Sequence, residues 1–170
     1  GLMGGQLAIL LGAAGWDAGL TVGLWMALAG WSAALAILGR LLVDEKGATW
    51  HARSCFAALV LGWLGMVMFI AFVLGAPAGW AFAGIRLGGM GMLLPVYLTV
   101  AHRMFPFFAA NAVPGYRAWR PLWWLAAMWA LSLAHLALEL VHGHAWLWLV
   151  DMPLLALGSQ VLGQGLKTVL

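Results

Sequence analysis

The scarcity of charged side chains is the feature that most constrains how this chain can fold. Of 170 residues, 8 are Lys or Arg and 5 are Asp or Glu, whereas 65% are hydrophobic. A soluble domain carries roughly a quarter charged residues, so this chain cannot cover a water-facing surface. We therefore expect membrane lipids around it, and the net charge of +3 does not indicate a nucleic-acid partner.

The apolar runs have the length of membrane-spanning helices. Crossing a bilayer takes roughly 20 apolar residues in a helix, whereas a membrane β-barrel needs shorter, alternating segments. The predicted spans lie near residues 20–42, 54–75, 81–103, 122–142 and 146–166, with a partial span near 1–16. The predicted fold class is all-α, a polytopic transmembrane helix bundle of about five to six spans in one domain. Because the chain lacks an initiator methionine and stops directly after a span, we expect a fragment of a larger bundle.

The basic residues occupy alternating connections between these spans. Apart from Arg86, which lies within a predicted span, they fall into three groups: Arg40, Lys46 and Arg53; Arg103, Arg117 and Arg120; and Lys167. The intervening connections contain neither Lys nor Arg. Because positive charge is enriched in cytoplasmic loops, residues 103–121 are predicted to be cytoplasmic and residues 143–145 periplasmic.

The segment LLPVYLTVAHRMFPFF, residues 93–108, closes an apolar run with a histidine and an arginine. Pro106 is expected to end the helix, since proline has no amide hydrogen and its ring clashes with the preceding turn. His102 shares a helix face with Pro95 and Thr99. Three interpretations of His102 stay open: an interfacial histidine bonded to a loop carbonyl, a metal ligand, or a proton-handling group.

The longer stretch HRMFPFFAANAVPGYRAWRPLWWL, residues 102–125, resembles the NnrS family. Members of that family are polytopic bacterial inner-membrane proteins associated with the nitric-oxide response, and they are described as containing haem and copper. They are longer than this chain, so the resemblance places it in their C-terminal half and implies a further transmembrane half or partner subunit. It also implies that the motif residues His102 and Arg103 are cofactor-binding candidates.

Ionisable groups recur at one depth of the membrane on three different predicted spans. Such groups are costly in lipid and are candidates for functional sites. His135, Glu139 and His142 follow one another at i, i+4 and i+7, on one helix face. Arg86 and Asp151 lie at a similar depth for a rise of about 1.5 Å per residue. We expect these groups to face the bundle interior and to approach one another or a shared ligand.

Two cofactors suit this cluster. Imidazole is a common axial ligand of haem, and arginine pairs with carboxylates such as haem propionates, so His135 is a candidate haem ligand and Arg86 a candidate propionate partner. Alternatively, copper or zinc could bind at the outer surface, because imidazole suits copper. The candidate ligands of that metal are His142, His144, Glu139 and Asp151. His102 lies about 20 Å from His135 along the membrane normal, so it would serve a second site.

The predicted function is that of an integral inner-membrane haem- and copper-binding protein resembling NnrS, in the nitric-oxide response or detoxification. Whether it is an enzyme that turns over nitric oxide with a quinone stays open. The alternative is a non-enzymatic subunit or transporter whose polar cluster is structural or proton-coupled. Cys55 is the only cysteine, and no Walker loop, GxSxG or HExxH motif occurs, so hydrolase and nucleotide-binding functions have no support.

Cysteine labelling tests the predicted orientation. A membrane-impermeant thiol reagent added to intact cells should label the Gly143→Cys variant but not the Ala118→Cys variant, because only the former is predicted to face the periplasm. The parent chain controls for Cys55. Labelling at residue 118 would overturn the orientation.

Overall fold

The computed structural model describes residues 5, 9, 17–47, 49–112 and 121–167, and the side chains of residues 5, 9, 19–47, 49–112 and 121–160. In chain order the elements are α1 (Asp17–Asp44), α2 (Trp50–Val73), α3 (Ala78–Arg86), a π-helix (Leu87–Leu93), α4 (Leu94–Ala112), α5 (Leu122–Leu140), a 3₁₀ turn (His144–Trp146) and α6 (Trp148–Lys167). None of the described residues lies in a strand. The predicted all-α class is confirmed.

Among the described residues, four helical segments are long and apolar enough to cross a membrane. They are Gly19–Asp44, Trp50–Val73, Ala78–Ala112 and Leu122–Leu140, and each overlaps one predicted span. The helix α6 lies where the span near 146–166 is expected, but its side chains are described only to residue 160, so its crossing of the membrane stays a prediction. The partial span near 1–16 lies outside the described residues, apart from Gly5 and Ile9.

The expectation that Pro106 ends its helix is wrong. The helix α4 continues through this proline to Ala112. Proline removes one backbone hydrogen bond, whereas a helix end leaves several carbonyl groups without an intrahelical partner. Continuing through the proline therefore leaves fewer backbone groups without an intrahelical partner than ending the helix there would.

The described helices divide into two compact units, Gly1–Met92 and Leu93–Leu170. In the first unit, α2 and α3 cross at a contact between two glycines. A Cβ added to Gly84 would lie 2.6 Å from the carbonyl oxygen of Gly65, and one added to Gly65 would lie 2.7 Å from the carbonyl oxygen of Gly84. Small residues allow helix backbones in lipid to approach each other this closely.

A side-chain hydrogen bond joins α1 to α2 in the same unit. Trp63 Nε1 donates to Ser32 Oγ at 2.8 Å, and Ser32 Oγ donates to the carbonyl of Leu28 at 2.8 Å. A buried indole N–H usually has a partner of this kind. The tryptophan therefore packs with its apolar ring and also fixes the rotation of α2 against α1.

In the second unit, α5 contacts both α4 and α6. The buried core consists of Leu98, Trp124, Leu125 and Met128. Trp129 Nε1 donates to Thr99 Oγ1 of α4 at 3.1 Å, and Trp124 Nε1 donates to the carbonyl of Leu157 in α6 at 3.0 Å. These two bonds hold α5 against both neighbours, and so determine which face of α5 meets α6.

Replacing Gly84 by alanine should destabilise the first unit, because the added methyl group would overlap the Gly65 carbonyl. Crowding of this kind costs about 1–3 kcal/mol. Gly79→Ala on the same helix is the matched control, since nothing lies within 4 Å of a Cβ at that position. Thermal unfolding of both purified variants in detergent measures the difference, and equal midpoints would contradict the close helix contact.

Candidate functional site

A tight connection folds α6 back against the end of α5. His142 has a backbone φ of 58°, a left-handed conformation that is uncommon for residues other than glycine. The backbone N–H of Gly143 donates to the carbonyl of Leu138 at 2.7 Å and closes the helix end. The 3₁₀ turn then leads into α6, which carries Asp151 in its first turn. The connection thus brings Asp151 beside the last turns of α5.

His135 of α5 and Asp151 of α6 form a direct hydrogen bond. The distance from His135 Nδ1 to Asp151 Oδ1 is 2.6 Å, which is short, as in charge-assisted hydrogen bonds. A carboxylate can only accept, so Nδ1–H is the donor. His135 is only 9% exposed, and low exposure strengthens such a bond because water does not compete for it. In a neutral imidazole this arrangement leaves the lone pair on Nε2.

Glu139 lies next to that second ring nitrogen. Its Oε2 atom is 3.9 Å from His135 Nε2, too far for a hydrogen bond but close enough for an ion pair when the imidazole is protonated. The side chain of Glu139 is 19% exposed and that of Asp151 is 42% exposed. The imidazole is therefore placed between two carboxylates, one on its own helix and one on the next.

The structure brings together three residues that were expected to share a site: His135, Glu139 and Asp151. Helical spacing and depth indicated their common location. The pairing of Asp151 with Nδ1 was not predicted, because it depends on the register between α5 and α6, which the turn geometry at His142 decides. The only sequence indication of that turn was Gly143 directly after His142.

The two other candidate metal ligands lie in the connection itself. The rings of His142 and His144 meet edge to face with their centroids 6.1 Å apart, and both side chains are exposed. Within the part of the chain that the structure describes, no group of three or more His, Cys, Asp or Glu side chains could hold a metal ion. A copper or zinc site made of His142, His144, Glu139 and Asp151 therefore stays a prediction.

Arg86 belongs to the first unit. It is the last residue of α3, it is half-buried, and it directly precedes the π-helix Leu87–Leu93. Short π-helical segments inside α-helices frequently occur at functional sites. The expected approach of Arg86 to the other ionisable groups stays a prediction.

His102 contacts the opposite end of α5. Its Nε2–H donates to the carbonyl of Pro121 at 3.2 Å, and its ring stacks on Trp124 with a centroid distance of 5.7 Å and an interplanar angle of 16°. This is the contact that the carbonyl-bonded interpretation expects, although the side chain is buried rather than interfacial. The cofactor-binding roles of His102 and of the exposed Arg103 stay predictions.

The donor atoms at His135 are chemically suited to a haem iron. Haem iron is already held by its porphyrin and needs only axial ligands from the protein. An imidazole nitrogen such as His135 Nε2 is a suitable ligand atom, and a carboxylate on the other ring nitrogen is the usual support of a metal-binding histidine.

The family model described as NnrS protein matches residues 2–165 of the chain. No curated protein and no solved structure gives a significant match. The matched range contains the glycine contact of the first unit and all the ionisable residues discussed for the second. Because the match covers nearly the whole chain, the chain belongs to the NnrS protein family.

Proposed function

We propose that this chain is a haem-binding bacterial inner-membrane protein of the nitric-oxide response, with His135 as a haem ligand. Family membership supports the nitric-oxide link, and the four helices among the described residues that are able to cross a membrane support an integral membrane location. The observation that carries the proposal is the buried imidazole of His135, whose Nδ1 is held by Asp151 at 2.6 Å.

A purely structural role explains this arrangement less well. Taking the imidazole of His135 and the largely buried carboxylate of Glu139 out of water is costly, and the attraction between them often does not recover that cost. Apolar side chains at positions 135, 139 and 151 would give a cheaper packing of α5 against α6. A bound cofactor would account for their presence, since its iron would be the electrostatic partner of the imidazole and the two carboxylates.

A haem iron at this position would supply a redox-active centre to which nitric oxide can bind. The residues of the chain have separate tasks there. His135 Nε2 would hold the iron, and Asp151 would hold the ring in one orientation through Nδ1. Arg86 would be a partner for a haem propionate, because guanidinium binds carboxylates through two parallel hydrogen bonds.

The proposal includes a sidedness and a second metal. The basic residues in alternating connections support residues 103–121 as cytoplasmic and residues 143–145 as periplasmic. His142 and His144 are exposed in the connection after α5, so copper is proposed at that surface, where imidazole is a suitable ligand. The haem site would then lie in the outer leaflet below it.

A second candidate function is favoured by the same hydrogen bond. His135 and Asp151 already satisfy each other in the structure, as would the members of a structural or proton-coupled network in a non-enzymatic subunit or transporter. The two candidates differ in one observable property. Only the first requires haem in the purified full-length protein.

Replacing His135 by alanine should abolish the haem absorption band of the purified full-length protein, because the iron loses its axial ligand. His51→Ala is the matched control, since it removes a half-buried imidazole of α2 and should leave the band unchanged. Oxidised and reduced absorption spectra with an iron assay provide the measurement. A His135→Ala protein with the full wild-type spectrum would refute the ligand assignment, whereas a wild-type protein without haem would favour the network.

Replacing Arg86 by glutamine should speed haem loss without abolishing haem binding, since a propionate contact is one of several. Charge-assisted contacts of this kind are worth about 1.5–3 kcal/mol, so the rate of haem transfer to an excess of haem-free globin should rise roughly tenfold or more. Arg40→Gln, which changes an exposed arginine of α1, is the control. Equal transfer rates in the two variants would rule out the propionate role.

A further inference from the structure

We infer that Asp151 is the positioning residue of His135 rather than a metal ligand, and that it sets the donor strength of the imidazole towards the haem iron. This inference rests on the proposed function, because Asp151 acts through His135. The hydrogen bond between the two residues is the observation behind it.

The carboxylate of Asp151 is committed to the ring nitrogen that cannot bind the iron. Oδ1 lies 2.6 Å from Nδ1, whereas the nearest carboxylate oxygen to Nε2 belongs to Glu139 at 3.9 Å. With Nδ1 as the donor, the neutral ring is held in the tautomer that presents an unprotonated Nε2. The hydrogen bond from Nδ1–H to Asp151 thus leaves Nε2 as the nitrogen that can bind the iron.

The backbone of α6 holds Asp151 in this position. Its N–H donates to the carbonyl of Leu147 at 2.9 Å, and it lies in the first turn of the helix. Further along, α6 is tied to α5 through the 3.0 Å bond from Trp124 to the Leu157 carbonyl. The helix α6 is therefore held against α5 at both ends of their contact. The side chain of Asp151 is short, so the position of its carboxylate follows from the position of the helix.

A charged acceptor on Nδ1–H changes the electronic properties of Nε2. The carboxylate draws the proton towards itself, which raises the electron density on the ring and makes Nε2 a stronger donor. A stronger axial donor stabilises ferric iron more than ferrous iron, so it lowers the reduction potential of the haem. A residue that only filled space beside the ring would not have this effect.

The Asp151→Asn variant of the full-length protein, loaded with iron protoporphyrin IX, tests the inference. Asparagine keeps the shape and can still accept from Nδ1–H through a neutral oxygen, so the fold should survive. We expect a higher reduction potential, a lower iron–histidine stretching frequency in the resonance Raman spectrum, and roughly 10- to 100-fold weaker haem binding. Asp44→Asn, the same change of charge at the exposed last residue of α1, is the control and should match the wild type in all three.

The results distinguish the inference from the proposed function. If His135→Ala loses haem while Asp151→Asn keeps the wild-type potential and stretching frequency, the positioning role is refuted and the haem site stands. If Asp151→Asn instead loses bound copper at an unchanged haem potential, Asp151 is a metal ligand and the inference is refuted. If His135→Ala retains haem, both the ligand assignment and the inference fail.

Rescue with free imidazole covers the case in which Asp151→Asn does not fold well enough for these measurements. In a His135→Gly variant, added imidazole can take the place of the missing side chain and restore the haem spectrum. Asp151 should then lower the imidazole concentration needed, compared with the His135→Gly, Asp151→Ala double variant. Equal concentrations in the two proteins would contradict the inference.

Discussion

The intolerance of lipid for unpaired polar groups governs the rest of this structure. A charged residue near the centre of a membrane helix costs roughly 2.5–3.5 kcal/mol on insertion scales, so ionisable side chains on helices in lipid are stable mainly where they meet partners. His135, Glu139 and Asp151 approach one another across the contact between α5 and α6. The same constraint acts on the buried hydroxyl and indole groups, since Thr99, Trp124 and Trp129 all have hydrogen-bond partners.

Much of the fold could be predicted from the sequence, because a helix that crosses the bilayer needs an apolar run long enough to span its hydrocarbon core. The spans near 122–142 and 20–42 agree with Leu122–Leu140 and Gly19–Asp44 to within about two residues. The helix that contains residues 94–103 continues through Pro106 to Ala112, because a proline removes one backbone hydrogen bond without necessarily ending the helix. Likewise, the contact between Gly65 and Gly84 depends on which faces of α2 and α3 meet. The order of residues within each helix does not determine this.

The residues of the candidate site could be predicted from the sequence, but the hydrogen bonds between them could not. Spacing at i and i+4 indicated that His135 and Glu139 share a face, and depth brought Asp151 to their level. Which carboxylate binds which ring nitrogen depends on the left-handed residue His142 and the bond from Gly143 to Leu138, and these are properties of a folded turn. The partner of His102 could not be predicted for a different reason. Its acceptor, the carbonyl of Pro121, comes after the connection between α4 and α5, and residue spacing does not predict where that connection leads.

An electron cryo-microscopy map of the purified full-length protein would test the proposed haem site directly. We expect the His135 side chain to face the interior of the bundle, its Nδ1 to contact Asp151, and planar density of a porphyrin to be continuous with its Nε2. A map in which His135 points into lipid, or in which the porphyrin density is joined to another residue and His135 contacts only Glu139 and Asp151, would contradict the proposed role of His135.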